Sequence, residues 1–239
     1  MADKDFIKVP EMGLIDKGYL LNRAQLITDV SSGKATAGHP KGSEGLLRSL
    51  QHQSEKPGTT HYVVVDKYGN SASVTSTIET GFGSRVMVGG FLLNNELTDF
   101  SFAPDRNGRL IANRVQGGKR PRSSMAPTVV LKGGKPFLIT GSPGGSRIIS
   151  YVARTIFNIL EWGLDPQAAL NSGHIVNRNG VTELEEGTDA IKLKEGLESL
   201  GHKVKIRNLN SGLHSILFAE DGTLIGAADP RREGLVMGE

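Results

Sequence analysis

Gly58-Thr59-Thr60 sits where an irregular stretch gives way to a strand pattern. A threonine that becomes the first residue of a chain carries its hydroxyl and a free α-amine together. That amine has an ordinary pKa of about 7.7–8.0, so it can act as a base near neutral pH. The hydroxyl is then activated with no histidine partner. Gly58 leaves room for the hydroxyl to attack the preceding carbonyl. From this dipeptide alone, a threonine that merely opens a strand is the alternative.

Three other groups could do chemistry. GSPGGS, residues 141–146, runs from a strand pattern into an apolar helix pattern. Adjacent glycine amides at a helix start can hold a carboxylate or an oxyanion. The segment does not match the phosphate loop G-x-x-x-x-G-K-[ST], and a tight strand-to-helix turn is its alternative. Glu96 and Asp99 lie three apart in NNELTDF and could bind an ammonium group, or stand in a solvated loop. Ser123 and Ser124 in RPRSSM lie beside arginines; hydroxyls and guanidinium together could hold a carboxylate, with a solvated basic loop as the alternative.

Other chemistries are excluded by what the chain lacks. There is no cysteine, so there is no disulfide, no thiolate nucleophile and no cysteine-based zinc site. The six histidines (His39, His52, His61, His174, His202 and His214) show no H-E-x-x-H spacing. No G-x-S-x-G elbow is present. Zinc and serine-triad readings are therefore rejected. The net charge is +3 and aromatics make up 5%, which argues against a nucleic-acid interface. No apolar run approaches the roughly 18 residues of a membrane span. The first thirty residues carry no signal-peptide pattern.

These groups need elements to position them. The 239 residues fit one large domain or two small ones. Leu14, Tyr19, Leu20, Ala24 and Ile27 predict an amphipathic helix within 11–29. Residues 30–58 lose periodicity and read as a linker or a processed segment. Three hairpins follow: His61–Lys67 with Ser71–Ile78, Thr128–Lys132 with Lys135–Thr140, and Leu213–Glu220 with Thr223–Ala228. A helix after GSPGGS would bury Ile148, Ile149, Val152, Ile156, Ile159 and Leu160. Further helices are predicted at Asp165–Asn171 and Thr188–Leu200, and a strand at His202–Arg207. Hairpins with separated helices argue for an α+β fold.

The segments TTHYVVVDKYGN (59–70), TSTIETGFGS (75–84), LLNNELTDF (92–100), KRPRSSMAPT (119–128), GSPGGSRII (141–149) and AADPR (227–231) resemble, in order, those of γ-glutamyltranspeptidases, or glutathione hydrolases. The resemblance covers the whole chain. It implies that 59–239 is a small catalytic subunit and that 1–58 is the tail of a large subunit plus a processed linker. It further implies an αββα four-layer sandwich of the N-terminal nucleophile hydrolase type, incomplete in so short a chain. Such precursors cut themselves, here between Gly58 and Thr59.

By the same resemblance, Thr59 is the nucleophile and Thr77 positions it. Gly144 and Gly145 form the oxyanion hole. Glu79, Glu96 and Asp99 bind the substrate α-ammonium; Ser123 and Ser124 bind its α-carboxylate. The implied substrate is glutathione or another γ-glutamyl compound, water or an amino-acid or peptide amine accepts the γ-glutamyl group, and no metal or organic cofactor is required. Related acylases and poly-γ-glutamate hydrolases are the alternatives, as is an inactive or partner-dependent fragment. Complete bacterial relatives are typically exported, whereas a chain beginning at Met1 as given would be cytoplasmic.

Some features depart from the family pattern. The large-subunit arginine that pairs with the substrate carboxylate has no counterpart here. Arg122 stands where many relatives have leucine, and 101–118 has no tyrosine for a lid. An open site of this kind is expected to favour hydrolysis or larger acceptors. Exposed sheet edges and apolar faces would make the chain seek a large-subunit portion or associate with itself.

Overall fold

In the computed structural model, residues 2–44 and 58–238 are described. Residues 45–57 of the linker expected over 30–58 lie outside them. Its reading as a processed segment is therefore not addressed by the fold.

The first hairpin pairs β1 (Thr59–Val65) with β2 (Ser71–Thr77). Its turn is held by Asp66, whose Oδ1 accepts from the Tyr68 and Asn70 N–H groups at 2.8 and 2.9 Å. Two short hairpins come next: β3 (Met87–Val88) with β4 (Phe91–Leu92), and β5 (Asp105–Arg106) with β6 (Arg109–Leu110). β7 (Thr128–Lys132) and β8 (Lys135–Gly141) turn at Gly133-Gly134, where both residues have positive φ, as a tight two-residue hairpin requires. β12 (His214–Phe218) and β13 (Leu224–Ala228) complete a four-stranded antiparallel sheet in the order β13-β12-β8-β7.

The β1–β2 hairpin packs on β8 and β12. The interface is polar. Thr140 and Ser215 share a hydrogen bond of 2.8 Å, and Ser73 Oγ donates to the Thr140 carbonyl at 3.0 Å. His61 is buried there with Nδ1 2.8 Å from Thr75 Oγ1. Burial, with His214 nearby, lowers its pKa to about 4, so it stays neutral.

On the other face lie α3 (Ile148–Leu160) and α4 (Pro166–Asn171). Asp165 caps α4 by accepting from the Ala168 N–H, and Pro166 takes the first turn. Leu138, Ile159 and Ala169 form one apolar cluster; Tyr151, Leu170, Val176, Leu209, Leu213 and Ala227 form another. The buried side of α3 differs from the expected one. Ile148, Tyr151, Val152, Thr155, Asn158 and Ile159 point inward, whereas Ile149 is 59% and Leu160 43% exposed. A period of 3.6 residues puts 148, 152, 155 and 159 on one stripe and turns 149 away from it.

Three expectations need correction. The helix expected within 11–29 is two short ones, α1 (Glu11–Leu14) and α2 (Lys17–Ala24), because Asp16 caps a new helix by accepting from the Tyr19 N–H at 2.8 Å. The helix expected over 188–200 is a 3-10 turn, Asp189–Leu193, followed by α5 (Lys194–Ser199). Of the third sheet only the strand expected over His202–Arg207 was anticipated. β9 (Ile175–Asn177) and β10 (Thr182–Glu185) pair antiparallel, and β11 (Val204–Arg207) joins β10 in parallel after α5.

Among the described residues the layers are hairpin, sheet and helices. The outer face of β1 carries Tyr62, 49% exposed, and Val64, 51% exposed. Among the described residues no helix is long and apolar enough to cross a membrane.

Candidate active site

The hairpin register sets Thr59 opposite Thr77, and their hydroxyl oxygens lie 3.0 Å apart. Thr77 Oγ1 accepts from the Glu79 N–H at 2.9 Å, which leaves its own proton to donate. The Gly58 carbonyl oxygen accepts from the Ile78 N–H at 3.1 Å and from Thr77 Oγ1 at 3.4 Å. Two donors on this carbonyl can stabilise negative charge if a nucleophile attacks its carbon. Arg232 Nη1 donates to the Thr59 carbonyl at 3.2 Å and fixes the other side of the residue.

Glycine is required at 58. A Cβ there would lie 2.5 Å from the Thr80 carbonyl oxygen and 2.6 Å from that of Glu79. Both are backbone atoms and cannot step aside cheaply. If the chain cuts itself before Thr59, Gly58→Ala is therefore expected to reduce that cleavage to a small fraction of the wild-type yield, read as the cleaved fraction on a denaturing gel. Normal cleavage would contradict this geometry.

Thr59, Thr77, Glu79, Glu96, Asp99, Ser123, Ser124 and Gly145 line one recess, together with Met125 and Ile148. Each group reaches it on a different element. Glu79 follows β2 with φ of 71°, a conformation uncommon for a residue with a side chain. Glu96 and Asp99 lie on a 3-10 turn, Glu96–Asp99, tied back to β2 by Asn95. The Asn95 N–H donates to the Ile78 carbonyl at 3.2 Å, and its Oδ1 accepts from the Thr80 N–H at 3.1 Å.

Gly144 (φ 136°) and Gly145 (φ 58°) lead through a short 3-10 turn into α3. A Cβ on Gly144 would meet the Tyr151 ring at 2.6 Å. Amides at such a helix start have no acceptor inside the helix. Gly145 lines the recess; Gly144 stands one residue behind it.

The electrostatics are one-sided. No lysine, arginine or histidine lines the recess among the described residues, against three carboxyl groups. Burial, with Asp99 and Glu79 close by, pushes the Glu96 carboxyl up to about 7. An ammonium group placed among these acids would neutralise the repulsion. The sign of the pH effect follows. Below pH 7 Glu96 takes up a proton and attracts a cation less, so KM for an ammonium-bearing substrate should climb toward acid. The limit for one group is about tenfold per pH unit, and Glu96→Gln should flatten that limb. Folding stability runs the opposite way. The folded carboxyl keeps its proton after the unfolded one has lost it, so stability falls as pH rises from 4.5 to about 7. An acid limb unchanged in the Glu96→Gln variant would contradict this assignment.

Ser123 Oγ accepts from the Met125 N–H at 3.1 Å, so its proton remains to donate. The arginines expected to assist are placed otherwise. Arg120 grips Asp3 through Nε at 3.0 Å and Nη2 at 2.8 Å, and reaches Asp5 at 2.5 Å. Neither Arg120 nor Arg122 lines the recess. Sequence reasoning overlooked Asn95 and Arg232. An asparagine next to an acid reads as an ordinary loop, and Arg232 is 173 positions from Thr59.

Among the described residues no group of three or more His, Asp or Glu is arranged to hold a metal ion. Residues 1–239 match the family described as Gamma-glutamyltranspeptidase. The chain belongs to this family. The glutathione hydrolase proenzyme of Escherichia coli (strain K12) is 40% identical over 97% of this chain and 40% of its own length. The Acylase ACY 1 proenzyme of Pseudomonas sp. (strain SE83) is 35% identical over 98% of this chain and 39% of its own. A crystal structure of a Helicobacter pylori gamma-glutamyltranspeptidase mutant superposes with a TM-score of 0.66 at 35% identity, over 72% of this chain and all of that one. A cephalosporin acylase from Bacillus halodurans shares the fold over 99% of this chain and 41% of its own, with a TM-score of 0.82 at 22% identity. The fold is that of the N-terminal nucleophile hydrolases. The chain spans about two-fifths of the length of these curated gamma-glutamyltranspeptidase-family relatives.

Proposed function

We propose that this chain is the catalytic part of a γ-glutamyl transferase/hydrolase that activates itself by cutting between Gly58 and Thr59. Residues 1–58 would then be the tail of the large subunit and 59–239 the small subunit. The observation that carries the reading is the recess itself. A paired threonine hydroxyl faces three carboxyl groups and two serines, complementary to an α-amino acid.

In the precursor, Thr59 Oγ attacks the Gly58 carbonyl carbon while Ile78 N–H and Thr77 Oγ–H hold its oxygen. The C–N bond breaks as the peptide nitrogen gains the proton lost by Oγ and becomes the Thr59 amine, and water hydrolyses the resulting ester to free the Gly58 carboxylate. In turnover the Thr59 amine takes the proton from Oγ as it attacks the γ-carbonyl of the substrate. Gly144 and Gly145 amides receive the oxyanion. Glu79, Glu96 and Asp99 hold the α-ammonium, and Ser123 and Ser124 the α-carboxylate. The amine leaving group departs with the proton, Cys-Gly in the case of glutathione. Water, or an amino-acid or peptide amine, then resolves the γ-glutamyl ester on Thr59.

The acylase-like relative raises a second reading with the same nucleophile and a different acyl group. Three acids in the recess favour an acyl group that bears an ammonium. Turnover of γ-glutamyl-p-nitroanilide and glutaryl-p-nitroanilide separates the two. The γ-glutamyl reading expects a large preference for the first, and equal or reversed rates would overturn it. Tyr62 and Val64, exposed on the outer face of β1, support a requirement for a large-subunit portion or self-association.

A further inference from the structure

The segment from Phe100 to Arg122 separates the two halves of the proposed amino-acid site, and most of it has little regular structure. At its tip β5 and β6 are exposed; at its base Ser101 bridges to Arg114. Two buried side chains, Asn113 and Lys119, fasten the base. Asn113 is 2% exposed. Its Nδ2 donates to the Asp99 carbonyl at 2.7 Å, and its Oδ1 accepts from the Arg122 N–H at 2.9 Å. Its own carbonyl accepts from the Ser101 N–H at 2.8 Å. Lys119, also buried, donates through Nζ to the carbonyls on either side, those of Ala112 at 2.5 Å and Arg114 at 3.1 Å.

We infer that Asn113 is a positioning residue whose amide sets the distance between the turn ending at Asp99 and the pair Ser123–Ser124. This rests on the γ-glutamyl reading of the recess. The two anchored atoms are the carbonyl of Asp99 itself and the N–H immediately before Ser123. An amide suits the task because it offers one donor and one acceptor on a rigid plane. Aspartate would offer only acceptors, one of them facing the Asp99 carbonyl. In an α-amino acid the ammonium and carboxylate share one carbon, so their two binding sites must keep a fixed separation. A displacement of about 1 Å is enough to cost up to ~10²-fold in rate or affinity.

The test is a double-mutant cycle on the self-processed protein with Asn113→Asp, Ser124→Ala and the pair. The readouts are kcat and KM for γ-glutamyl-p-nitroanilide and the calorimetric Kd for L-glutamate. Asn113→Asp should leave cleavage before Thr59 intact, raise KM and Kd about tenfold or more, and change kcat by less than about threefold. In the Ser124→Ala background the same change should raise KM less than about threefold, because one of the two groups to be aligned is already lost. Effects that multiply in the cycle would overturn the inference, as would a loss of kcat and folded fraction at unchanged KM. If Asn113→Asp does not fold, Asn113→Ser, whose shorter side chain cannot span both anchors, decides by the same cycle. A wild-type protein that neither binds L-glutamate nor turns over the donor defeats the γ-glutamyl reading and this inference with it. An active wild type with multiplying effects defeats this inference alone.

Discussion

Thr59→Ala is expected to leave the chain uncut between Gly58 and Thr59 and without measurable γ-glutamyl turnover. The single hydroxyl serves both reactions, so both are lost together. Removing the nucleophile of a catalytic unit lowers kcat by roughly 10⁵–10⁶-fold in comparable hydrolases. The neighbouring Thr77 hydroxyl is not free to replace it. Thr77 Oγ1 is 3.0 Å away, but it already serves the Glu79 N–H and the Gly58 carbonyl. Thr59→Ser keeps the hydroxyl and should keep both reactions at reduced rates, because the lost methyl group frees the side chain to rotate. The comparison is made by intact mass and by p-nitroaniline release. A Thr59→Ala protein that still cuts itself or turns over substrate would place the nucleophile elsewhere.

Asp99→Asn should produce the next largest loss, and of another kind. Asp99 lines the recess beside Glu96, and burial strengthens any charge pair made there. Removing one partner of such a pair costs about 2–5 kcal/mol, or roughly 30- to 4,000-fold in kcat/KM. The loss should fall mainly on KM for γ-glutamyl-p-nitroanilide. Self-cleavage should persist, since the donors on the Gly58 carbonyl come from Ile78 and Thr77. Turnover of a glutaryl amide, which lacks the ammonium, should change little. Equal losses on both substrates would mean that Asp99 acts through the fold rather than through the ammonium.

Local chemistry made much of this molecule legible in its sequence. The hairpins around Tyr68-Gly69-Asn70, Gly133-Gly134 and Asp221-Gly222 appear where turn residues and strand patterns place them. The same holds for α3 after its glycines and for α4 behind Asp165. β10 was hidden because its buried side chains include acids. Glu183 is paired with Arg147 and Arg207, and Glu185 with Arg231, so a fully buried strand reads as a polar loop. The inward Thr155 and Asn158 of α3 misled for a similar reason. Each is satisfied locally, Thr155 by the Tyr151 carbonyl and Asn158 by that of Ala169.

The site was legible only in part. Each motif alone fitted an ordinary loop or turn, and their ordered resemblance to one family supplied the roles. The fold brings Thr59, Thr77, the three acids, both serines and Gly145 to a single recess. The pairing of Arg120 with Asp3 links residues 117 apart, a distance at which sequence patterns carry no signal.

The central claim is that Thr59 becomes a chain terminus and then carries the acyl group. Its most direct test is mass spectrometry of the purified protein, before and after rapid quenching with γ-glutamyl-p-nitroanilide. The expected result is cleavage between Gly58 and Thr59, followed by the added mass of one γ-glutamyl group on the peptide that begins with Thr59. A chain left intact across that bond, or a γ-glutamyl group found on any other residue, would contradict the account.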